Sequence, residues 1–182
     1  MSDAAEKLMD VDEFLAWADG REGKWELHDG RIVSMAPEVM RHTRLKYRAT
    51  VALDNAVRRA GAPCEAIADG VTVRIAARRA FVPDASVVCP PPGPNDIETT
   101  TPLIVVEVLS PSTAAFDHGA KLEGYFSLPS LEHYLLIDPE RRVVIQHSRG
   151  REGVIETRIL RDGEIRLDPP GLALPFAELF GD

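Results

Sequence analysis

The segment TPLIVVEVLSPST, which runs from Thr101 to Thr113, decides the fold because its centre has the pattern of a strand buried on both faces. The seven residues from Leu103 to Leu109 are apolar except for Glu107. A short apolar run bounded by turn residues is typical of a strand inside a sheet. An isolated carboxylate in an apolar interior costs several kcal/mol, so it changes its pKa, finds a partner or binds a metal. The sequence therefore predicts a partner for Glu107 elsewhere in the chain.

The rest of the chain alternates helical and strand patterns. The clearest helix runs from Arg41 to Ala60, and another follows the opening segment from about Thr113 to Phe126. Strand patterns occur in KWELHDGRIVSM, with Asp29-Gly30 as a hairpin turn, and in CEAIAD, GVTVRIA, FVPDASVV, HYLLID and RVVIQHSR. This order predicts an α/β or α+β fold, a mixed β-sheet flanked by helices, in a single domain over residues 1–182.

Charge and composition narrow the functional classes. The net charge of -8 argues against a protein that coats nucleic acid nonspecifically. One basic segment remains, because residues 41–60 contain six Lys or Arg residues and a single acid, Asp54. The acidic N-terminus has no apolar core typical of a signal peptide, and no apolar run approaches the roughly 20 residues of a membrane span. We therefore expect a cytoplasmic protein with no membrane partner.

The two cysteines, Cys64 and Cys89, lie outside any CxxC pattern or Cys/His cluster. A structural zinc site is therefore not expected. The favoured interpretation is a pair of buried free thiols, which suits a cytoplasmic protein.

Asp84, in FVPDASVV, is the first candidate partner of Glu107. In an extended segment, Val82, Asp84, Ser86 and Val88 share one face. On neighbouring strands the two carboxylates would lie within the ~4–6 Å at which like charges perturb each other, and a proton or a cation would be needed between them. Oxygen ligands favour Mg²⁺ or Mn²⁺. The alternative is that Asp84 caps a turn after Pro83 while Glu107 pairs with an arginine.

The helix after Glu107 contributes a second candidate partner. Asp117, Lys121 and Tyr125 recur at spacings of four residues and share one stripe. The ammonium group of Lys121 can reach back to the end of the sheet, where it would bind a phosphate or orient a water molecule. The alternative is a surface pair between Asp117 and Lys121 worth a few tenths of a kcal/mol.

Several of these segments together resemble the Uma-type family of endonucleases, within the PD-(D/E)XK restriction-endonuclease-like superfamily. The matching segments are KWELHDGRIVSMAP, His42, VPDASVV, LIVVEVLSPSTAAFDHGAKLEGYF and HYLLIDP, in this order from about Trp25 to Pro139. The resemblance implies a restriction-endonuclease-like fold and a homodimer. It also implies hydrolysis of phosphodiester bonds in nucleic acid, with DNA as the expected substrate and Mg²⁺ or Mn²⁺ as cofactor.

The resemblance also assigns roles to individual residues. Asp84 and Glu107 match the two acids of the superfamily motif and would bind the metal, with the Val108 backbone carbonyl as a third ligand. The motif places a lysine two residues after the second acid, but this chain has Leu109 there. The resemblance therefore implies that Lys121 supplies the ammonium group from the following helix.

Four more residues match family positions or lie beside them. Glu26, in WELHDG, matches an early acid of the catalytic set that would complete the metal shell, and a partly exposed hairpin residue is nearly as good an interpretation. His42, Arg44 and Arg48 are candidates for contact with substrate phosphates. The alternatives are a polar histidine near the start of the helix and a solvated cationic face.

Two other functional classes stay open. The first is a catalytically inactive module that binds nucleic acid or a partner protein on the same fold; the acidic pI and Leu109 favour it. The second is acid/base hydrolysis by two carboxylates, as in glycosidases. Only two Trp and three Tyr residues are available for stacking against a sugar, which weakens that hypothesis.

Overall fold

The computed structural model describes residues 8–109 and 117–181. In chain order its first elements are α1 (Val11–Ala18), β1 (Trp25–His28), β2 (Arg31–Ser34), α2 (Met40–Ala60), β3 (Glu65–Ala68), β4 (Thr72–Ala76), β5 (Arg79–Phe81) and β6 (Ala85–Val88). The others are β7 (Glu98–Thr99), β8 (Pro102–Val108), α3 (Asp117–Ser127), β9 (His133–Asp138), β10 (Val143–Arg149), β11 (Ile155–Leu160), β12 (Glu164–Leu167), β13 (Leu172–Pro175) and α4 (Phe176–Phe180). The part of the predicted helix before Asp117 lies outside the described residues.

Two larger sheets organise the molecule, and the predicted α+β character is confirmed. Six strands form the first sheet in the order β11-β10-β9-β8-β6-β3, in which β8 and β9 are parallel and the other neighbours antiparallel. A second sheet has the order β2-β1-β5-β4-β7, and β12 pairs with β13. Among the described residues, no helix combines the length and the apolar character needed to cross a membrane.

The opening segment lies in the middle of the six-stranded sheet. Alternate residues of β8 point to opposite faces, and both faces are covered. Ile104, Val106 and Val108 belong to the apolar cluster that includes α2, whereas Val105 belongs to the cluster that includes Tyr125 of α3. The predicted burial of this strand is therefore confirmed, and Glu107 lies on the same face as Val105.

The long helix α2 covers one face of this sheet. It runs from Met40 to Ala60 and is capped by Gly61, whose positive φ of 60° suits a glycine. Its apolar face packs against the sheet, and six residues on it are buried: Leu45, Ala49, Ala52, Leu53, Ala56 and Val57. Two polar residues, His42 and Lys46, are buried on the same side of the helix.

The expectation that FVPDASVV forms one extended strand is wrong. The segment is divided between β5 of the five-stranded sheet and β6 of the six-stranded sheet. Pro83 has no N–H to donate to a strand ladder, so the chain leaves one sheet there and enters the other. Asp84 consequently lies just before β6, where its amide donates to the Val106 carbonyl at 3.0 Å.

The expectation of buried free thiols is also wrong. Cys64 and Cys89 form a disulfide and are half-buried. Cys64 directly precedes β3 and Cys89 directly follows β6, and the antiparallel register pairs Glu65 with Val88. The next residues outward therefore face each other across the pair, with their Cα atoms 4.4 Å apart. Strand register is a tertiary property that the cysteine spacing does not reveal.

Candidate functional site

Four of the predicted residues meet where the two sheets approach each other. Glu26 comes from β1, Asp84 precedes β6, Glu107 is in β8 and Lys121 is in α3, and all four are buried. The Lys121 Nζ atom lies 2.9 Å from Glu26 Oε1 and 3.1 Å from Glu107 Oε1. The sequence-based expectation that Lys121 reaches back to the sheet is therefore confirmed as a matter of position.

Glu26 is held by three different donors. Its Oε1 atom accepts hydrogen bonds from the Val82 amide at 3.0 Å and from Lys121, and its Oε2 atom is 2.9 Å from His28 Nε2. Burial alone would raise the pKa of this carboxyl, but the bonds from His28, Lys121 and Val82 outweigh that effect and lower the pKa. Glu26 therefore favours the ionised state. A charged carboxylate that is only 3% exposed can be stable here because both of its oxygens are held by hydrogen-bond donors.

Glu107 has the opposite electrostatic character. The Tyr125 hydroxyl donates to its Oε1 atom at 3.0 Å, beside the bond from Lys121. Burial raises the pKa of Glu107 to about 8; the nearby Lys121 opposes this, while the charges of Asp84 and Glu26 add to it. In the absence of a further cation, Glu107 therefore favours the protonated state around neutral pH.

Asp84 sits at the opening of β6 and is bound by a backbone and a side-chain donor. The Val108 amide donates to Asp84 Oδ2 at 2.6 Å, and the Lys46 Nζ atom lies 2.5 Å from Asp84 Oδ1. Burial raises the pKa of Asp84, although Lys46 and the Val108 amide oppose the rise. The N–H and C=O of one strand residue point to the same side. The Val108 carbonyl is thus directed to the side on which Asp84 lies.

Lys46 is the main component that the sequence did not predict. Its ammonium group contacts Glu38 and Asp84 and lies 3.5 Å from Asp69 Oδ2. Burial would lower the pKa of Lys46, but its interactions with these acids, Asp84 foremost, raise it well above the ordinary value. A signal for Lys46 was present in the sequence, because it falls on the apolar stripe of α2 next to Leu45.

The structure also groups acids differently from the sequence-based set. Oxygen atoms of Glu38, Asp69 and Asp84 all lie within 4.8 Å of one another. In the described part of the chain, Glu26, Asp84 and Glu107 do not form such a group. Asp84 is the carboxylate that links the two clusters, because Lys46 binds it from one side and its charge acts on Glu107 from the other.

The donor set fits a hard divalent cation. Every acid at the site presents carboxylate oxygens, the ligands that Mg²⁺ and Mn²⁺ prefer. Burial, together with the charges of Asp84 and Glu26, outweighs Lys121 and raises the pKa of Glu107, so a further cation beside this carboxyl would favour its ionised form. The residues can therefore hold a divalent ion, with Asp84, Glu107 and the Val108 carbonyl as the candidate ligands.

Of the three predicted substrate-binding residues, the histidine is buried and the two arginines are exposed. His42 is 3% exposed, and its Nε2 atom has no hydrogen-bond partner among the residues that the structure describes. Arg44 and Arg48 are exposed. Each is two residues from Lys46, about 200° around the helix, so they point away from the carboxylates. The structure does not bring these two arginines to the site, and their contact with substrate stays a prediction.

Comparisons with known proteins agree with this architecture. The family model Uma2, described as "Putative restriction endonuclease", matches residues 11–177. A crystal structure of a putative nuclease belonging to DUF820 from Anabaena variabilis superposes with a TM-score of 0.75 at 20% identity, covering 94% of this chain and 97% of that one. This similarity confirms the predicted restriction-endonuclease-like fold.

Two proteins of Synechocystis sp. are similar in sequence. The uncharacterized protein slr1290 is 34% identical over 128 residues, which cover 69% of this chain and 66% of that protein, just under two thirds of its length. The uncharacterized protein sll1609 is 30% identical over 139 residues, covering 74% of this chain and 77% of that protein. The family match extends over most of the sequence, from α1 to α4. This chain therefore belongs to the Uma2 family.

Proposed function

We propose that the protein is a divalent-metal-dependent endonuclease that hydrolyses phosphodiester bonds in nucleic acid, with DNA as its substrate. The family description supports the reaction class. The observation that carries the proposal is the convergence of Lys121 on Glu26 and Glu107, with Asp84 next to Glu107. Buried acids with an ammonium group and too little positive charge are suited to a hard cation and an anionic substrate.

The residues at the site divide into those that hold the cation and those that position groups around it. Asp84, Glu107 and the Val108 carbonyl would hold Mg²⁺ or Mn²⁺, which would supply positive charge for the attacking water and the phosphate. Tyr125 and Lys121 fix the Glu107 carboxylate by donating to the same oxygen. Metal ligation requires an ionised carboxylate, so cation binding and loss of the Glu107 proton would occur together.

Lys121 is assigned the role of the displaced motif lysine. Glu26 fixes its ammonium group at 2.9 Å and is itself held by His28 and Val82. An ammonium group so positioned can orient a water molecule or stabilise the charge that develops on the phosphate. Glu26 then acts as a positioning residue for Lys121. A homodimer would place two such centres on one duplex, one for each strand.

A second candidate function has its own observation. Lys46 and Lys121 already contact Asp84, Glu107 and Glu26, so ammonium groups supply part of the charge that a metal would provide. An inactive module that binds nucleic acid or a protein on this fold would need no further cation. The two functions differ in one measurable respect, because only the endonuclease requires a metal at Asp84 and Glu107.

The test combines metal binding with cleavage. Mn²⁺ is titrated calorimetrically into the unmodified protein, Asp84→Asn, Glu107→Gln and the control Glu178→Gln, an acid that pairs with Arg59 on α2. We expect binding to the unmodified protein and the control only. The same proteins and Lys121→Met are then assayed for nicking of supercoiled DNA. We expect Lys121→Met to lower the rate by about 10²-fold or more.

The outcomes separate the two candidates. A parent chain that neither binds Mn²⁺ nor cleaves DNA or RNA supports the inactive module. Binding that survives both Asp84→Asn and Glu107→Gln shows that these acids are not the ligands, and the proposed mechanism is then wrong.

A further inference from the structure

The strand β11 is an unprotected edge of the six-stranded sheet. It pairs with β10 on one side and lies last in the strand order on the other. Its residues are exposed from Ile155 to Ile159, on both faces of the sheet. Ile159 is 64% exposed, and Val154, which precedes the strand, is 58% exposed. A long exposed edge that carries apolar side chains is a template for pairing with another strand.

The direction of the backbone groups along β11 follows from its ladder with β10. The register pairs Arg149 with Ile155, so Gly150 comes opposite Val154, and the Gly150 amide donates to the Val154 carbonyl at 2.8 Å. Residues that face β10 alternate along the strand with residues that face outward. The N–H and C=O groups of Ile155, Thr157 and Ile159 therefore point away from the sheet and are positioned to bond a further strand.

The side chains of this edge are complementary to a second copy of themselves. In the sequence Ile155-Glu156-Thr157-Arg158-Ile159, an isoleucine lies two residues to each side of Thr157. The residues directly beside Thr157 carry opposite charges. We propose that β11 pairs antiparallel with β11 of a second copy, with the two-fold axis at Thr157. Each Glu156 then lies opposite Arg158 of the second copy, and each Ile155 opposite Ile159. The pairing joins the two six-stranded sheets into one continuous sheet.

In this register, the side chains on both faces of the joined sheet meet favourable partners across the two copies. Opposite charges across neighbouring strands are stabilising, whereas like charges in the same positions are destabilising. The two-fold axis makes each contact occur twice, as an isologous interface requires. Thr157 is already fixed on its own side, where its Oγ1 atom is 2.8 Å from His147 Nδ1. The edge strand β2 has no such symmetry, since its four residues are Arg31-Ile32-Val33-Ser34.

The proposed interface is small. One six-residue strand buries less than the ~800 Å² per partner of a standard interface. We therefore expect a concentration-dependent dimer with a dissociation constant of roughly 10 µM or weaker. The pairing requires neither a metal nor nucleic acid, so it does not depend on the proposed nuclease function.

Charge reversal tests the register. Sedimentation equilibrium of the full chain is compared for the unmodified protein, Glu156→Arg, Arg158→Glu, the double variant and Arg166→Glu, a control at an exposed position of β12. We expect each single reversal at Glu156 or Arg158 to weaken dimerisation about tenfold or more. The double variant restores it, as does an equimolar mixture of the two single variants, because both arrangements place opposite charges together again. The control leaves dimerisation unchanged.

A proline substitution tests the backbone contribution. Because the N–H of Thr157 points outward, Thr157→Pro should abolish dimerisation while leaving the thermal midpoint within a few degrees of the unmodified protein. Arg158→Pro removes an N–H that faces β10 and should lower the midpoint clearly. A parent chain that stays monomeric at several hundred micromolar overturns the proposal. A dimer that survives Thr157→Pro and the single charge reversals also overturns it, and so does a double variant that stays monomeric. A chain that binds an unrelated extended peptide in place of a second copy of itself overturns it as well.

Discussion

Replacing Lys46 by methionine removes a buried cation while keeping an unbranched chain of similar length. The Lys46 side chain is 9% exposed, and its ammonium group contacts Glu38, Asp69 and Asp84. Loss of that group leaves Asp84, 3% exposed, without its ammonium partner. We expect Lys46→Met to be strongly destabilised at neutral pH.

The magnitude follows from the geometry of the Asp84 pair. At 2.5 Å and an effective dielectric constant near 20, the gross attraction between the two charges is about 6–7 kcal/mol. Part of it is offset in the folded protein by the desolvation of both ions. Removing one member of a buried pair costs about 3–5 kcal/mol. For a chain of 182 residues, this corresponds to a fall in Tm of roughly 6–20 °C.

Lys24→Met is the matched control, because Lys24 also contacts Asp69 but its side chain is 47% exposed. An exposed pair contributes about 0–1 kcal/mol, so the control should unfold close to the unmodified protein. Urea denaturation of both variants is measured at pH 5 and pH 8. We expect a smaller loss for Lys46→Met at pH 5, because protonation of Asp84 removes the unpaired charge. A loss of the same size at both pH values would show that packing, not charge, accounts for the effect.

Mn²⁺ provides a second readout of the same variant. Glu38, Asp69 and Asp84 keep their oxygens within 4.8 Å of one another, a spacing that suits one divalent ion once the ammonium group is gone. Mn²⁺ should therefore raise the Tm of Lys46→Met more than that of Lys24→Met. At a Mn²⁺ concentration a hundred times the dissociation constant, the additional unfolding free energy of Lys46→Met is about 2.7 kcal/mol. Equal Mn²⁺ effects on the two variants would refute this expectation.

Two further predictions concern the neighbouring elements. Because the pKa of Glu107 rises from 4.5 in the unfolded chain to about 8 in the folded protein, its contribution to stability is present below pH 4.5 and is lost as the pH rises to about 8. The difference in unfolding free energy between the unmodified protein and Glu107→Gln should fall by about 1.4 kcal/mol per pH unit in this window; a flat difference would contradict the assigned burial. Gly124→Ala should destabilise the protein by about 1–3 kcal/mol, because its Cβ would lie 2.8 Å from Phe81 Cε2. Gly119→Ala, in the same helix, would place a Cβ with no described residue within 4 Å and should stabilise the protein by up to about 1 kcal/mol; equal effects of the two substitutions on Tm would contradict the packing.

The central elements of the fold were predictable because their signals are local. The apolar period of α2 and the continuous apolar run of β8 each report burial directly. The division of FVPDASVV between two sheets was not recognised, although Pro83 marks the break. Sequence periodicity identifies extended backbone but does not show which sheet a strand joins. The disulfide was missed for the same reason, because it depends on the register of β3 against β6.

The candidate site was predictable where a polar residue interrupts an apolar pattern. Glu107 is the one charged residue in the apolar strand β8. Lys121 and Tyr125, which both donate to Glu107, share one stripe of their helix. Lys46 also interrupts an apolar face, yet a lysine among arginines in a basic segment has the pattern of a solvated residue. Glu38 and Asp69 carry no local signal, since they are 31 residues apart in the chain and meet only because α2 packs against β3.

The balance of charge explains how such a site can fold before it binds anything. Five carboxylates, those of Glu26, Glu38, Asp69, Asp84 and Glu107, face two buried ammonium groups. Without the lysines, several of these acids would have to remain protonated, at a cost to stability that grows with pH. With the lysines in place, part of the repulsion is compensated and the excess charge is still negative. We therefore expect the site to be stable without a metal and still to attract a divalent cation, and we expect Lys46→Met to fold at high pH only when a divalent cation is bound.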